Sequence, residues 1–227
     1  ESGAPFIFMN AAGQMHDVTT MLHEGGHAVH SFLAHPLELS GFKEYPMEIA
    51  EVASMAMELM SMDEWETFFT DAADLKRAKA HQLERVITIF PWIAVIDKFQ
   101  HWIYEHPVHT HEERTATWNE ILKEFQDDVI DYSGLEAYRS NGWQRQLHLF
   151  EVPFYYIEYG IAQLGAIGMW MQYKENKQLA MDNYCNALAL GGTKTLPQLF
   201  ETAGLKFDFS PDKIKVLMEF VRSEMNR

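Results

Sequence analysis

Two histidines and a glutamate have a spacing that suits a metal ion. Residues 23–27 read His-Glu-Gly-Gly-His, the pattern His-Glu-x-x-His. On a helix, His23 and His27 lie one turn apart on the same face. A catalytic zinc site uses three protein ligands and keeps a fourth position for water, so this pair could supply two ligands. Glu24 could accept a proton from that water, and the pattern therefore predicts hydrolysis by a metal-activated water.

The residues around this motif favour a metal site over a surface helix with two ordinary histidines. The flanking apolar residues are Met21, Leu22, Ala28, Val29, Phe32 and Leu33. A polar turn within an apolar helix is costly to bury unless something binds it. Gly25 and Gly26 support the same interpretation, because a glycine inside a helix costs about 1 kcal/mol relative to alanine. Two glycines in succession predict that another group approaches the helix backbone.

The next helical segment offers three candidates for the third ligand, which are Glu48, Glu51 and Glu58. Glu51 is favoured because small residues beside it would let the two helices pack closely. These small residues are Ala50, Ala53 and Ser54. Glu58 lies two turns beyond Glu51 on the same helix face and could orient a ligand histidine. An ordinary ion pair at the edge of the core explains Glu58 equally well.

Apolar residues recur every three or four positions, which predicts a mainly α-helical protein. We expect eight to ten helices in a single domain that covers residues 1–227. Pro91 should kink or split the long third helix. Residues 5–10 form an apolar, aromatic run that predicts a short strand beside the metal helix, with an edge that could pair with a peptide. The clearest helices are expected at about 16–34, 47–62, 71–105, 110–134, 153–173, 177–190 and from 210 onward.

The composition restricts the partners and the location of the protein. Eighteen Lys and Arg against 33 Asp and Glu give a net charge of −15, which argues against binding to nucleic acid or to an anionic membrane. The single Cys185 excludes an internal disulfide framework, and no signal-peptide pattern opens the chain. Both observations favour the cytoplasm. Because the sequence starts at Glu1 without an initiator methionine, we expect a fragment of a longer protein.

The histidine segment 16–30, followed by Glu51-Val-Ala-Ser-Met-Ala-Met-Glu58, resembles the thimet oligopeptidase and oligoendopeptidase F family of zinc metallopeptidases. The family carries a third-ligand glutamate about this far beyond its zinc helix, so the resemblance implies Glu51 as ligand and makes Glu48 the weaker choice. It also implies one Zn²⁺ ion and a multi-helix, zincin-like catalytic domain. The resemblance is to the C-terminal catalytic portion of a longer family architecture.

Residues 144–159 resemble the family's histidine- and tyrosine-rich segment, which faces the zinc. The resemblance implies that His148, Tyr156 and Tyr159 act on the region of the scissile carbonyl. The spacing from His148 differs slightly from the family pattern, so Tyr155 is an alternative to Tyr156. Val152 stands where the family has a further tyrosine.

The resemblance implies a metalloendopeptidase that cuts internal bonds of short unstructured peptides, with Glu24 as general base. One alternative is a zinc carboxypeptidase of related fold, in which Arg139 or Arg145 would bind the substrate carboxylate. Another is a zinc-bearing domain that is inactive without its missing N-terminal half. The expected partners are short peptides and an N-terminal half or other chain that completes the substrate channel.

A second group of histidines could bind a transition metal weakly. Its members are His101, His106, His109 and His111. A solvated loop between helices is the favoured interpretation of this group.

Overall fold

The computed structural model describes residues 3–126 and 129–226, and this part of the chain is helical. It contains ten α-helices, which confirms the mainly α prediction and the expected number of helices. They are α1 (Met15–Ala34), α2 (Met47–Met60), α3 (Ala72–Glu105), α4 (His111–Phe125), α5 (Glu136–Ser140), α6 (His148–Glu151), α7 (Tyr156–Glu175), α8 (Lys177–Ala189), α9 (Leu196–Thr202) and α10 (Pro211–Met225). Short 3₁₀ helices lie at Ser40–Lys43, Ser61–Thr67 and Gly142–Arg145. None of the helices described is long and apolar enough to cross a membrane.

The strand predicted for residues 5–10 is absent, and this segment has no regular secondary structure. A strand needs a neighbour that satisfies its backbone hydrogen bonds. No other strand occurs within residues 3–126 and 129–226 to provide one. The side chains of Phe6 and Phe8 are 86% and 88% exposed. The prediction of a short strand with a free edge at residues 5–10 is therefore wrong.

Helices α4 and α3 test the rules that predicted them. Thr110 caps α4 as expected, since its hydroxyl accepts from the Glu113 N–H at 3.1 Å and the Glu113 carboxylate accepts from the Thr110 N–H at 2.7 Å. This helix ends at Phe125 and not near residue 134, since the backbone of Gln126 is extended. Further on, Asp131 accepts from the Ser133 N–H in a separate turn. Helix α3 continues through Pro91 and is not split.

The chain divides into two compact units. The first comprises Glu1–Arg85 and Ile161–Arg227, and the second comprises Val86–Gly160. The single domain expected from the sequence stays a prediction.

In the first unit, α1 and α2 pack closely because Gly26 has no side chain. A Cβ atom at this position would lie 2.6 Å from the Ala53 carbonyl oxygen and 2.6 Å from the Ser54 Cα. The group predicted to approach the glycine pair is therefore the backbone of α2, and the small residues of α2 permit the contact. At Gly25, an added Cβ would meet no atom within 4 Å.

Helix α8 packs against both α1 and α2. The hydroxyl of Tyr184, which is 1% exposed, donates to the Ala53 carbonyl oxygen at 2.7 Å. This is the oxygen that lies against Gly26, so α1, α2 and α8 meet at one backbone position. In the same unit, Asp63 of the 3₁₀ helix Ser61–Thr67 forms ion pairs with Lys174 of α7 at 2.6 Å and with Lys177 of α8 at 3.1 Å.

The second unit is built on an aromatic cluster. Phe99 contacts Trp118 edge-on with ring centroids 5.0 Å apart, and its ring lies 5.8 Å from that of Trp143. Just before α7, Phe154 has a φ of 62°, the left-handed conformation that favours glycine. Its N–H donates to the side-chain oxygen of the buried Gln100 at 2.9 Å, and this bond helps to hold the conformation.

Gly26→Ala and Gly25→Ala should change the stability in opposite directions. A methyl group at position 26 must push α2 away, so we expect the free energy of unfolding to fall by about 1 to 3 kcal/mol. A methyl group at position 25 meets open space and favours the helix, so we expect a gain of about 0.5 to 1 kcal/mol. Urea unfolding of the two variants and the wild type measures both changes. Equal effects of the two substitutions would contradict the close backbone contact.

Candidate metal centre

Helices α1 and α2 bring the three predicted metal ligands together. The His23 and His27 rings lie one turn apart on α1, with centroids 4.9 Å apart and planes at 85°. The Glu51 Oε2 atom on α2 lies 3.4 Å from His23 Nε2 and 3.8 Å from His27 Nε2. One possible ligand atom from each of these three residues lies within 4.8 Å of the others, and the three residues are called the donor group below. In the described part of the chain, this is the one group of three histidine, cysteine or acidic residues with such spacing.

The centre is closed on the carboxylate side and open on the histidine side. Glu51 is 6% exposed, and Ser54 Oγ donates to its Oε2 at 3.0 Å. The histidine side chains keep 25% and 29% of their surface exposed. Catalytic zinc sites have this asymmetry, because they need fixed ligands and an accessible position for water.

Burial and neighbouring charges shift the pKa values of all three residues of the centre. Burial alone would lower the pKa of His23, but hydrogen bonds and charges from Glu51 and Glu58 outweigh it and raise that pKa to about 10. Burial lowers the pKa of His27, and the Glu51 charge opposes this only in part. Burial would raise the pKa of Glu51, but His23, His27 and Ser54 hold it below its ordinary value.

The donor set fits a zinc ion. Two imidazole nitrogens and one carboxylate oxygen are a ligand combination of catalytic zinc sites. A buried carboxylate whose partners are two histidines and a serine provides negative charge that a cation would neutralise. Glu48 is partly buried on the same helix but lies outside the donor group.

Glu58 contacts the ring nitrogen of His23 that faces away from Glu51. Its Oε1 lies 2.7 Å from His23 Nδ1. A carboxylate accepts the Nδ1–H hydrogen, and this arrangement leaves the Nε2 lone pair for a metal. Of the two roles considered for Glu58, the geometry matches the orientation of a ligand histidine. Gln82 in turn donates to Glu58 Oε2 at 2.7 Å, a contact that the sequence did not predict.

Glu24 lies between the two histidines along α1 and is partly buried. It is not a member of the donor group, and no residue in the described ranges forms a hydrogen bond or ion pair with it. A carboxylate beside a metal ligand, with its oxygens not committed to other side chains, is suited to accept a proton from a nearby water.

In the second unit, a chain of hydrogen bonds fixes the tautomer of His148. Trp92 Nε1 donates to Gln146 Oε1 at 3.2 Å, so the amide nitrogen of Gln146 faces His148 Nδ1 at 2.6 Å. His148 Nδ1 must accept a hydrogen from this amide, and the His148 proton therefore lies on Nε2. His148 Nε2 can then donate to the Tyr159 hydroxyl oxygen, which lies 3.4 Å away.

The two other tyrosines of this segment also contact His148. The His148 ring lies 5.7 Å from that of Tyr155 and 5.0 Å from that of Tyr156. Tyr156 is 9% exposed and belongs to the aromatic cluster of the second unit, and burial raises its pKa. Tyr155 is only partly buried. The structure thus groups His148 with all three tyrosines, and the choice between Tyr155 and Tyr156 stays open.

The remaining candidates of the sequence lie in the second unit. His101, His106, His109 and His111 do not form a group of metal ligands within the residues described. His109 Nε2 instead lies 2.7 Å from Arg114 Nε. Arg139 and Arg145, the candidates for binding a substrate carboxylate, both line a cavity of about 390 Å³.

Known proteins are similar to this chain in sequence and in fold. Residues 1–218 match the sequence profile of peptidase family M3. The "Oligoendopeptidase F homolog" of Borreliella burgdorferi is 28% identical over 85% of this chain, and "Oligopeptidase PepF" of Bacillus subtilis is 25% identical over 98%. A solved structure of PZ peptidase A with an inhibitor has a TM-score of 0.87 and 31% identity, and it covers 98% of this chain and 39% of its own.

The chain spans about a third of the length of the two curated relatives, since the matches cover 33% of each. The profile match nevertheless extends over nearly the whole chain and includes all three residues of the donor group. The chain belongs to peptidase family M3.

Proposed function

We propose that the protein is a zinc-dependent endopeptidase that hydrolyses internal bonds of short unstructured peptides. The observation that carries the proposal is the convergence of His23, His27 and Glu51 on one point, with Glu24 beside it. Membership of a peptidase family and relatives named oligoendopeptidase and oligopeptidase support this activity.

His23, His27 and Glu51 would hold the zinc ion. When bound, zinc lowers the pKa of a coordinated water toward about 7 and polarises the substrate carbonyl. The Glu24 carboxylate accepts the proton of the attacking water and then delivers it to the nitrogen of the leaving amine. Glu58 keeps the proton of His23 on Nδ1, so that Nε2 stays available as a ligand.

His148, Tyr156 and Tyr159 would stabilise the negative charge that develops on the substrate oxygen. These roles rest on the family resemblance, and the hydrogen-bond chain of His148 supports them by placing a proton on Nε2. A phenol hydroxyl and an imidazole N–H can both donate to an oxyanion.

Further polypeptide would complete the substrate channel, and the greater length of the relatives supports this part of the proposal. The net charge of −15 favours basic peptides. The cytoplasmic location stays a prediction.

Glu24→Gln should greatly slow cleavage and leave the zinc content unchanged, because this residue moves a proton and does not hold the ion. We expect kcat to fall by about 100-fold to 10,000-fold. The assay uses a quenched-fluorescent peptide blocked at both ends, together with zinc measurement by atomic absorption. Because a carboxypeptidase cannot cut a blocked peptide, wild-type cleavage also separates the two peptidase alternatives.

Glu48→Gln is the matched control, since Glu48 lies on α2 outside the donor group. It should keep both zinc and activity. Loss of zinc in Glu24→Gln would refute the general-base role, and a wild type that holds zinc but cleaves nothing would favour the inactive-domain alternative.

In the metal-free protein, His23 should titrate near pH 10, and the pKa of His27 should lie below its ordinary value. NMR of the ring nitrogens measures both midpoints. A raised pKa means that His23 stabilises the metal-free fold fully below about pH 6.5 and loses this contribution as the pH rises through about 10. Zinc must displace the His23 proton, so its affinity should increase with pH between about 7 and 9.

The control for this titration is Glu58→Gln, which removes one of the two carboxylates that raise the His23 pKa. The midpoint of His23 should move to lower pH in this variant. A wild-type midpoint near 6.5 would contradict the charge arrangement described.

Tyr159→Phe should lower kcat by about 100-fold and change KM less, because the lost hydroxyl would act only on the transition state. Steady-state kinetics with the same blocked peptide measures both constants. Tyr173→Phe is a suitable control, since Tyr173 lies on α7 outside the group around His148. An increase in KM alone would exclude the oxyanion role.

A further inference from the structure

A buried amide from a third helix contacts the glutamate that orients His23. Gln82 lies on α3 and is 3% exposed. Its Nε2 donates to Glu58 Oε2 at 2.7 Å, while Glu58 Oε1 lies 2.7 Å from His23 Nδ1. Both oxygens of the carboxylate are therefore bound, one by the ligand histidine and the other by Gln82.

The orientation of the Gln82 amide is determined by this contact. Its Oε1 is buried and has no hydrogen-bond partner in the described part of the protein. A buried polar group without a partner costs about 1 to 3 kcal/mol. Rotating the Gln82 amide by 180° would place Gln82 Oε1 against the Glu58 carboxylate and leave Glu58 Oε2 without its hydrogen-bond donor. The charge-assisted bond to Glu58 offsets the cost of the unpaired oxygen.

The geometry explains what the amide does for the metal centre. A glutamate side chain has three rotatable bonds, and one hydrogen bond to His23 does not fix the plane of its carboxylate. The second bond, from Gln82, fixes that plane and keeps Oε1 at His23 Nδ1. The His23 ring then presents Nε2 toward Glu51.

We propose that Gln82 is a positioning residue of the metal centre, which acts through Glu58 to hold His23 in its ligating orientation. This inference rests on the proposed zinc function. Substitution of Gln82 should weaken zinc binding, and it should do so only while residue 58 carries a carboxylate.

The experiment is a double-mutant cycle with zinc affinity as the readout. Competition with a chromophoric chelator gives the zinc Kd of the wild type, Gln82→Leu, Glu58→Gln and the double variant. Leucine is close to glutamine in size and removes both the donor and the unpaired oxygen. We expect Gln82→Leu to raise Kd by about tenfold, the usual scale for a group that orients a metal ligand. In the Glu58→Gln background, the same substitution should have little further effect.

Two further variants separate positioning from general damage. Gln163, at 7% exposed, is also buried, belongs to the same unit and does not bond to Glu58, so Gln163→Leu should leave Kd unchanged. Gln82→Asn keeps an amide that is too short to reach Glu58, and it should weaken zinc binding as Gln82→Leu does. It replaces Gln82→Leu if circular dichroism shows that the leucine variant does not fold.

The outcomes distinguish the two proposals. If the wild type binds zinc and Gln82→Leu binds it equally well, the role of Gln82 is wrong and the zinc function stands. An equal loss of affinity with and without the Glu58 carboxylate, or a similar loss in Gln163→Leu, would also overturn the role. If the wild type binds no zinc, the proposed function and the role of Gln82 fail together.

Discussion

The candidate metal centre depends on the contact between two helix backbones at Gly26. Because α1 has no side chain there, the Ala53 carbonyl and the Ser54 Cα of α2 come within van der Waals range of it. At this separation the Glu51 carboxylate lies 3.4 Å from His23 Nε2 and 3.8 Å from His27 Nε2 on the neighbouring helix. The Tyr184 hydroxyl donates to the same carbonyl and helps to keep α2 in place.

A second property of the centre is its excess of negative charge around one imidazole. Two carboxylates contact His23, one at each ring nitrogen. Without a metal, a proton on His23 compensates for part of this charge, which is why its pKa is raised to about 10. Under the proposed function, a zinc ion would replace this proton at the same side chains.

The sequence predicted the features that depend on local rules. Helix α1 lies within one residue of its expected limits, and the capping box at Thr110 forms as expected. The features it did not predict depend on contacts between distant residues. Gln82 meets Glu58 across 24 positions, and nothing in its neighbourhood distinguishes it from any other glutamine. The prediction of a strand at residues 5–10 is wrong for a related reason, since a strand requires a hydrogen-bonding partner strand elsewhere in the chain.

The uneven burial of the centre has a consequence for metal exchange. The Glu51 side chain is 7% exposed and the His23 and His27 side chains are 25% and 29% exposed, so the accessible side of the centre is the one that carries the two imidazoles. Under the proposed function, the carbonyl of a peptide substrate would approach the ion from this side too. A bound peptide would then cover the ion and slow its removal by a chelator.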